Sequence, residues 1–460
     1  MRPPHIVVVN QNAPLEMDLR PRREAEALAA AGYEVTLVGG CLSRHDVREV
    51  TNRDVRLELF RQPEGGRGVG GQVREQSQAM ALSVRAVCRA SRRSPVSVVH
   101  AGNPPDNLFL AGQALRLAQG TAARFVFDQH DAAPVLLAEK FPHTQLTRPL
   151  MRTARAIERW SFALASLVVF ANAEYRSRAI REDLLRGDSE VVPNGWSLPE
   201  VPPDPGWRND VEHLVAYVGT IGEQDNVDHL VDAVAAIRPA RRLRVAVAGS
   251  GSALDSVQRR ARDLGVDRSF EWLGFVGDRD RNAALVRAAD VCVAPELDSE
   301  FNRLATFVKV IEYMSAGAAT VAHRLPQTER LAGDTVAYPR DMTAQGLAET
   351  ICELLESPAR RRALGDAARR RFEDRVSWEQ NGAPRLVGAY ERLFATDGDP
   401  VSRRRNKRGG FHDFPYAGPF GRIVAERAGR TGLAPWRRMT LCTSSANLQR
   451  NSSSSSRMAI

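Results

Sequence analysis

Short apolar runs alternate with longer polar stretches of helical period along the first 395 residues, and this alternation predicts strands and helices in turn. Residues 5–9 read as a buried strand, 22–31 as a helix rich in Ala and Glu closed by Gly32, and 33–38 as a second strand. Strand, helix and strand in that order are the unit of an open parallel sheet with crossover helices. Further strands fall at 96–100, 125–127 and 168–172. Residues 199–205 hold four prolines and read as a linker, after which the alternation restarts with strands at 213–219, 243–248, 270–276 and 288–295. Two Rossmann-like halves of an α/β protein follow from this pattern.

The densest stretch runs from Asn302 to His323: a polar turn, an amphipathic helix, a glycine and a buried strand without a break. Thr306 reads as the helix cap and Gly317 as its left-handed terminator. Lys309 and Glu312, three apart, share one face. They read either as a surface ion pair or as charged groups beside helix-start amides that favour an anion.

With 43% hydrophobic and 26% charged residues, the 460-residue chain is long enough for two core-bearing domains. Its net charge of +9 invites a nucleic-acid reading until it is mapped: Arg and Lys outnumber acidic residues twelve to four between Thr396 and Ile460, leaving +1 for everything before. No specific nucleic-acid partner is expected. The tail, with RRRNKR and five consecutive serines, reads as disordered, with charge suited to non-specific contact with anionic membrane or nucleic acid. Cys41, Cys88, Cys292, Cys352 and Cys442 are scattered and form no CxxC pair, which argues against a zinc site or disulfide framework and fits a reducing cytoplasm. The longest apolar stretch, 162–173, is too short to span a bilayer.

Three segments carry a resemblance. FVKVIEYMSAGAATVA (307–322), DQHDAAPVLLAEKF (128–141) and VVPNG (191–195) resemble segments of GT-B glycosyltransferases of the family 4 kind, retaining enzymes that use nucleotide-sugar donors. The resemblance covers roughly residues 2–395. It implies the GT-B fold: an acceptor-binding Rossmann-like domain (1–198), a linker (199–210), a nucleotide-sugar-binding Rossmann-like domain (211–375) facing the first across a cleft, and a helix (376–395) crossing back, with the tail at 396–460. It also implies site roles. Glu312 binds the donor ribose, Lys309 lies near the diphosphate, and the amides of Thr306, Phe307 and Val308 meet the phosphate oxygens. His130 faces the sugar as a transition-state contact, so His130, Lys309 and Glu312 are the expected catalytic residues. Gly219, Thr220, Gln224, Val276 and Asn302 complete the donor side, and Asp18, Arg20 and Asp131 the acceptor side.

The chain departs from the pattern at two places. The family's usual first Glu, eight positions before Glu312, is replaced by Leu304, as in a subgroup with Asn, Ser-Thr and Lys ahead of EYM. The loop after the first strand of the second domain carries Thr220 and Asp225 where the family places Arg and Lys. No Asp-x-Asp pair of metal-holding character stands near the donor site, so transfer is expected to be metal-independent and to use no cofactor. The expected partners are a nucleotide-sugar donor and a glycan or lipid-linked acceptor. Arg148, Arg152, Arg155 and Arg159 line one face of a helix whose other side carries Leu150, Met151, Ile157 and Trp160. That face is either solvated or suited to anionic lipid at the inner face of the cell membrane. A scaffold or donor-binding regulator of the same fold, and a nucleotide-sugar epimerase, remain the alternatives.

Overall fold

Two all-parallel sheets carry the chain, and both are wound in the same order. In the computed structural model the described residues are 2–11, 13–63, 68–120, 123–140, 147–208, 211–237 and 243–395; the tail segment 396–460, with its expected disorder, lies outside them. The first sheet contains β1 (His5–Asn10), β2 (Glu34–Cys41), β3 (Val55–Arg61), β4 (Val96–Gly102), β5 (Arg124–Gln129), β6 (Leu167–Phe170) and β7 (Asp188–Val191). Its spatial order is β3-β2-β1-β4-β5-β6-β7. The second contains β8 (His213–Val218), β9 (Leu243–Ala248), β10 (Phe270–Gly274), β11 (Val291–Ala294) and β12 (Thr320–Ala322), in the order β10-β9-β8-β11-β12. Each order reverses between its first and fourth strands, β1 beside β4 and β8 beside β11. A doubly wound sheet opens a crevice at such a reversal, outside the carboxyl ends of the strands.

The central strands are buried on both faces, as helices on either side of a parallel sheet require: β1 is buried throughout, and so are β11 and β12. One apolar cluster runs from Phe162, Phe170 and Tyr175 of the first half to Phe301, Leu304, Ala305 and Phe307 of the second. Another joins β1 and β6 to the helix Ala383–Ala395, whose Leu386, Ala389, Tyr390 and Leu393 pack on Ile6, Val8 and Val169. The chain thus returns to its first sheet. At the crossing Trp378 N–H donates to Gly195 O at 2.6 Å, and a Cβ on Gly195 would stand 1.7 Å from Val376 O, so only glycine fits there.

Several elements differ from the sequence expectation. β2 runs on through Gly39 and Gly40 to Cys41, and β3 was not anticipated, because glycines and charged residues mask both from a hydrophobicity pattern. The stretch 302–323 begins inside one helix, Glu300–Leu304, and contains a second, Val308–Ala316. The second is preceded by Phe307 and has no side-chain cap; Thr306 does not cap it, because its hydroxyl accepts from Asn172 Nδ2 at 2.9 Å. Gly317 does end it in the left-handed conformation, with φ +67°.

Candidate functional site

The second sheet's crevice is built around Lys309. The helix Val308–Ala316 places this side chain under the loop that leaves β8, where it is 6% exposed. Its stem passes so close to Gly219 that a Cβ there would lie 2.7 Å from Lys309 Cε. The ammonium donates to Tyr217 Oη at 2.9 Å, to Asp225 Oδ1 at 3.0 Å and to Glu296 Oε1. An ammonium has three donors, and all three are engaged. Burial disfavours the charged amine, but Glu296, Tyr217 and Asp225 outweigh it and hold Lys309 well above its usual pKa. Burial pushes the Glu296 carboxyl up, against the pull of Lys309. Lys309 is therefore no open cation awaiting a diphosphate, as the sequence alone implied; two carboxylates already neutralise it.

Glu312 lies one turn further on. Burial raises its carboxyl to about 7, and its ion pair is a long one, 3.9 Å to Arg279 Nη1. Arg279, at the start of the helix Arg279–Ala288, also donates to Ser197 O at 3.0 Å. Arg22, on the helix Leu19–Ala30, is lowered in pKa chiefly by burial, with the charge of Arg279 a minor contribution. The sequence singled out none of Glu296, Arg22 and Arg279.

The remaining donor-side residues divide. Asn302 is buried and ties loops together, donating to Gln224 O and Leu297 O at 2.9 Å each, while its Oδ1 is buried without a partner. Thr220 is exposed, its carbonyl accepting from Tyr217 Oη; Val276 O accepts from Asn282 at 3.0 Å. Phe307 and Val308 open the helix, whose first turn has no side-chain cap and in which Val310 N–H donates to Phe307 O at 3.0 Å. Leu304, in place of the family's carboxylate, is 7% exposed and packs in the apolar cluster shared by both halves; its carbonyl accepts from Asn172 Nδ2 at 2.9 Å.

The first sheet's crevice holds a second charged cluster. Arg20 grips Asp128 with two bonds, Nε to Oδ2 at 2.9 Å and Nη2 to Oδ1 at 2.7 Å, and also reaches Val192 O, Asn194 Oδ1 and Glu24 Oε1. His130 Nε2 bonds to Asp128 Oδ2, and Gly102 leaves room for the ring, since a Cβ there would meet His130 Cε1 at 2.9 Å. His100 lies beneath: Nε2 stands 3.2 Å from Glu24 and 3.5 Å from Asp128, and Nδ1 stands 2.8 Å from Tyr390 Oη of the returning helix. Burial opposes charge on His100, yet Glu24 and Asp128 lift it to about 9. His130 is raised as well, with burial overcome chiefly by Asp128.

Two acceptor-side expectations, those for Arg20 and Asp18, change. Arg20 is 1% exposed and bound on every side, so it positions Asp128 and cannot reach an acceptor. Asp18 caps the helix Leu19–Ala30, accepting from Arg20 N, and takes a bond from Asn10 Nδ2 at 3.1 Å. Asp131 is fixed by Asn103 through both backbone groups and lies 3.4 Å from Tyr175 Oη. Glu24, Asp128 and His130 present ligand atoms within 4.8 Å of one another, close enough for a metal ion, but Arg20 supplies the positive charge there.

On the outer face Arg148, Arg152, Arg155 and Arg159 of the helix Thr147–Leu164 are all exposed. Leu150 and Trp160, expected on the packed side, are 40% and 44% exposed. Among the described residues no helix is long and apolar enough to cross a membrane.

A family model described as "Glycosyl transferases group 1" matches residues 212–357, and one described as "Glycosyl transferase 4-like domain" matches 17–195. A Mycobacterium tuberculosis protein named GDP-mannose-dependent alpha-(1-6)-phosphatidylinositol dimannoside mannosyltransferase is 28% identical over 183 residues, 39% of this chain and 45% of that protein. The MMP alpha-(1->4)-mannosyltransferase of Mycolicibacterium hassiacum is 28% identical over 172 residues, 37% of this chain and 40% of the relative. The chain thus spans less than half the length of the curated relatives it matches. Among solved structures, sucrose-phosphate synthase from Thermosynechococcus elongatus superposes with a TM-score of 0.67 at 18% identity, covering 85% of this chain and 100% of that one. An Anabaena protein in complex with UDP and glucose gives 0.61 at 16% identity, covering 86% and 99%. These likenesses establish the shared fold.

Proposed function

The chain belongs to the GT-B glycosyltransferases of the family 4 kind, and from that premise we propose that it moves a sugar from a nucleotide-diphosphate-sugar to a glycan or lipid-linked acceptor, with retention at the anomeric carbon. Cell-surface polysaccharide or glycolipid synthesis is the setting we propose, at the cytoplasmic face of the membrane, with the exposed arginines of the helix Thr147–Leu164 against anionic lipid. The observation that carries the reading is Glu312: a half-buried carboxyl, its side chain 16% exposed, with only a 3.9 Å ion pair, one turn beyond the helix start at the reversal of a doubly wound sheet. A carboxyl there suits ribose hydroxyls, and the amides suit the phosphates. His130, whose pKa is raised because Asp128 outweighs burial, offers its imidazole at the first sheet's crevice. Such a transfer asks the protein to orient two substrates and to stabilise charge on the departing diphosphate, which we assign to the amides and His130 without a metal ion.

The test is release of nucleoside diphosphate from UDP-, GDP- and ADP-sugars. Glu312→Ala is expected to lower kcat/KM about 100-fold, the loss of an interaction worth roughly 2.7 kcal/mol. Turnover abolished by chelator and restored by magnesium would overturn metal independence. A second reading, a scaffold that kept the fold, is favoured by Leu304: the position where the family holds the sugar is closed by apolar packing between the halves. That reading wins where no donor binds and Glu312→Ala changes nothing.

A further inference from the structure

The Lys309 side chain, from the second residue of the helix Val308–Ala316, lies against Gly219 just past the carboxyl end of β8, where the proposed donor places its diphosphate. It shares that place with two buried carboxylates: Asp225, 6% exposed, and Glu296, 1% exposed. One ammonium between two carboxylates leaves an excess of negative charge if both are ionised, at a site that should attract a polyanion. Asp225 is also anchored to the loop it belongs to, since its Oδ2 accepts from Gly222 N at 3.0 Å. Glu296 follows β11 from the other side of the reversal, so the two carboxylates hold Lys309 from both strands that frame the crevice.

Resting on the glycosyl-transfer reading for the identity of the site, we infer that Glu296 and Asp225 are specificity-determining residues that compete with the donor's phosphates for Lys309. With both carboxylates present, Lys309 serves to fix the loop from Gly219 to Asn226, and the donor anion meets amides with a neutralised lysine behind them. Removing one carboxylate charge takes the cluster from an excess of negative charge to neutrality and so lifts its repulsion of the anion. The groups facing Lys309 are Asp225, Glu296, the Tyr217 hydroxyl and the rings of Tyr217 and Phe307, whose centroids lie 4.7 and 5.5 Å from Nζ. Glu296→Gln keeps the shape and an acceptor for Lys309 while deleting one charge.

The experiment is calorimetric titration of the full chain with inorganic pyrophosphate, which probes the anion site independently of base and sugar. Glu296→Gln is expected to bind at least about tenfold more tightly than the native protein, the scale set by deleting one buried like charge within several ångströms. Asp225→Asn is a second route to the same gain should Glu296→Gln fold poorly. Adding Lys309→Met to either variant is expected to abolish the gain. Equal affinities in native and variant proteins, or a gain that survives Lys309→Met, overturn the inference. A gain without turnover of any nucleotide sugar sinks the glycosyl-transfer reading alone, and turnover without a gain sinks this inference alone.

Discussion

The two crevices solve one problem in parallel and arrive at opposite signs. Each buries a strong cation, two carboxylates and a tyrosine hydroxyl at the reversal of its sheet: Arg20 with Glu24, Asp128 and Tyr390 in the first half, Lys309 with Asp225, Glu296 and Tyr217 in the second. The first adds two imidazoles, both raised in pKa, and one of them, His130, reaches the crevice with 14% of its side chain exposed. The second adds no imidazole. A buried ion cluster thus shows the cleft whichever charge its periphery carries, and an inventory of cations alone misplaces the attraction for a ligand.

The largest break in this parallel is expected from Lys309→Met, which leaves Asp225 and Glu296 buried without their cation. Stability should fall by about 3–5 kcal/mol, the cost of an uncompensated buried charge, read by denaturant unfolding. Adding Glu296→Gln should restore part of it. Asp128→Asn tests the first cluster: Arg20 keeps Glu24, so a smaller loss of about 1.5–3 kcal/mol is expected. The pH dependence gives the sign. His100 is raised to about 9 from 6.5, so the stability it contributes is complete below pH 6.5 and is lost as pH rises through 9. His130 shifts in the same direction. In Asp128→Asn that decline should shrink, because both imidazoles lose a carboxylate. Tyr390→Phe, which removes one neutral hydroxyl from His100, should cost about 1 kcal/mol and leave nucleotide-sugar turnover intact.

Elements with strong local signals were legible before the structure. β9 runs over the expected residues, β1 and β8 differ by one residue at an end, and Gly317 ends its helix as its chemistry requires. The site was legible only as single residues. Lys309 and Glu312 stand where an anion site would have them, but Lys309's partners lie 84 and 13 positions away, a pairing that no helical or strand period reports. The Arg20 grip on Asp128 spans 108 positions. Thr306 failed as a cap for the same reason, since Asn172, 134 positions earlier, takes its hydroxyl. Short-range patterns decide elements; the charge a ligand meets is decided by residues brought together at long range.

The helix Ala383–Ala395 has a consequence for how the molecule is made. Tyr390 meets His100 across 290 positions of chain, and Leu386, Ala389 and Leu393 complete the apolar layer beneath β1 and β6. A ribosome that has finished the first sheet has therefore not finished its core. Until about 390 residues have emerged, the nascent first half exposes the apolar surface that this helix will cover, and the charged cluster beneath β5 lacks its tyrosine lid.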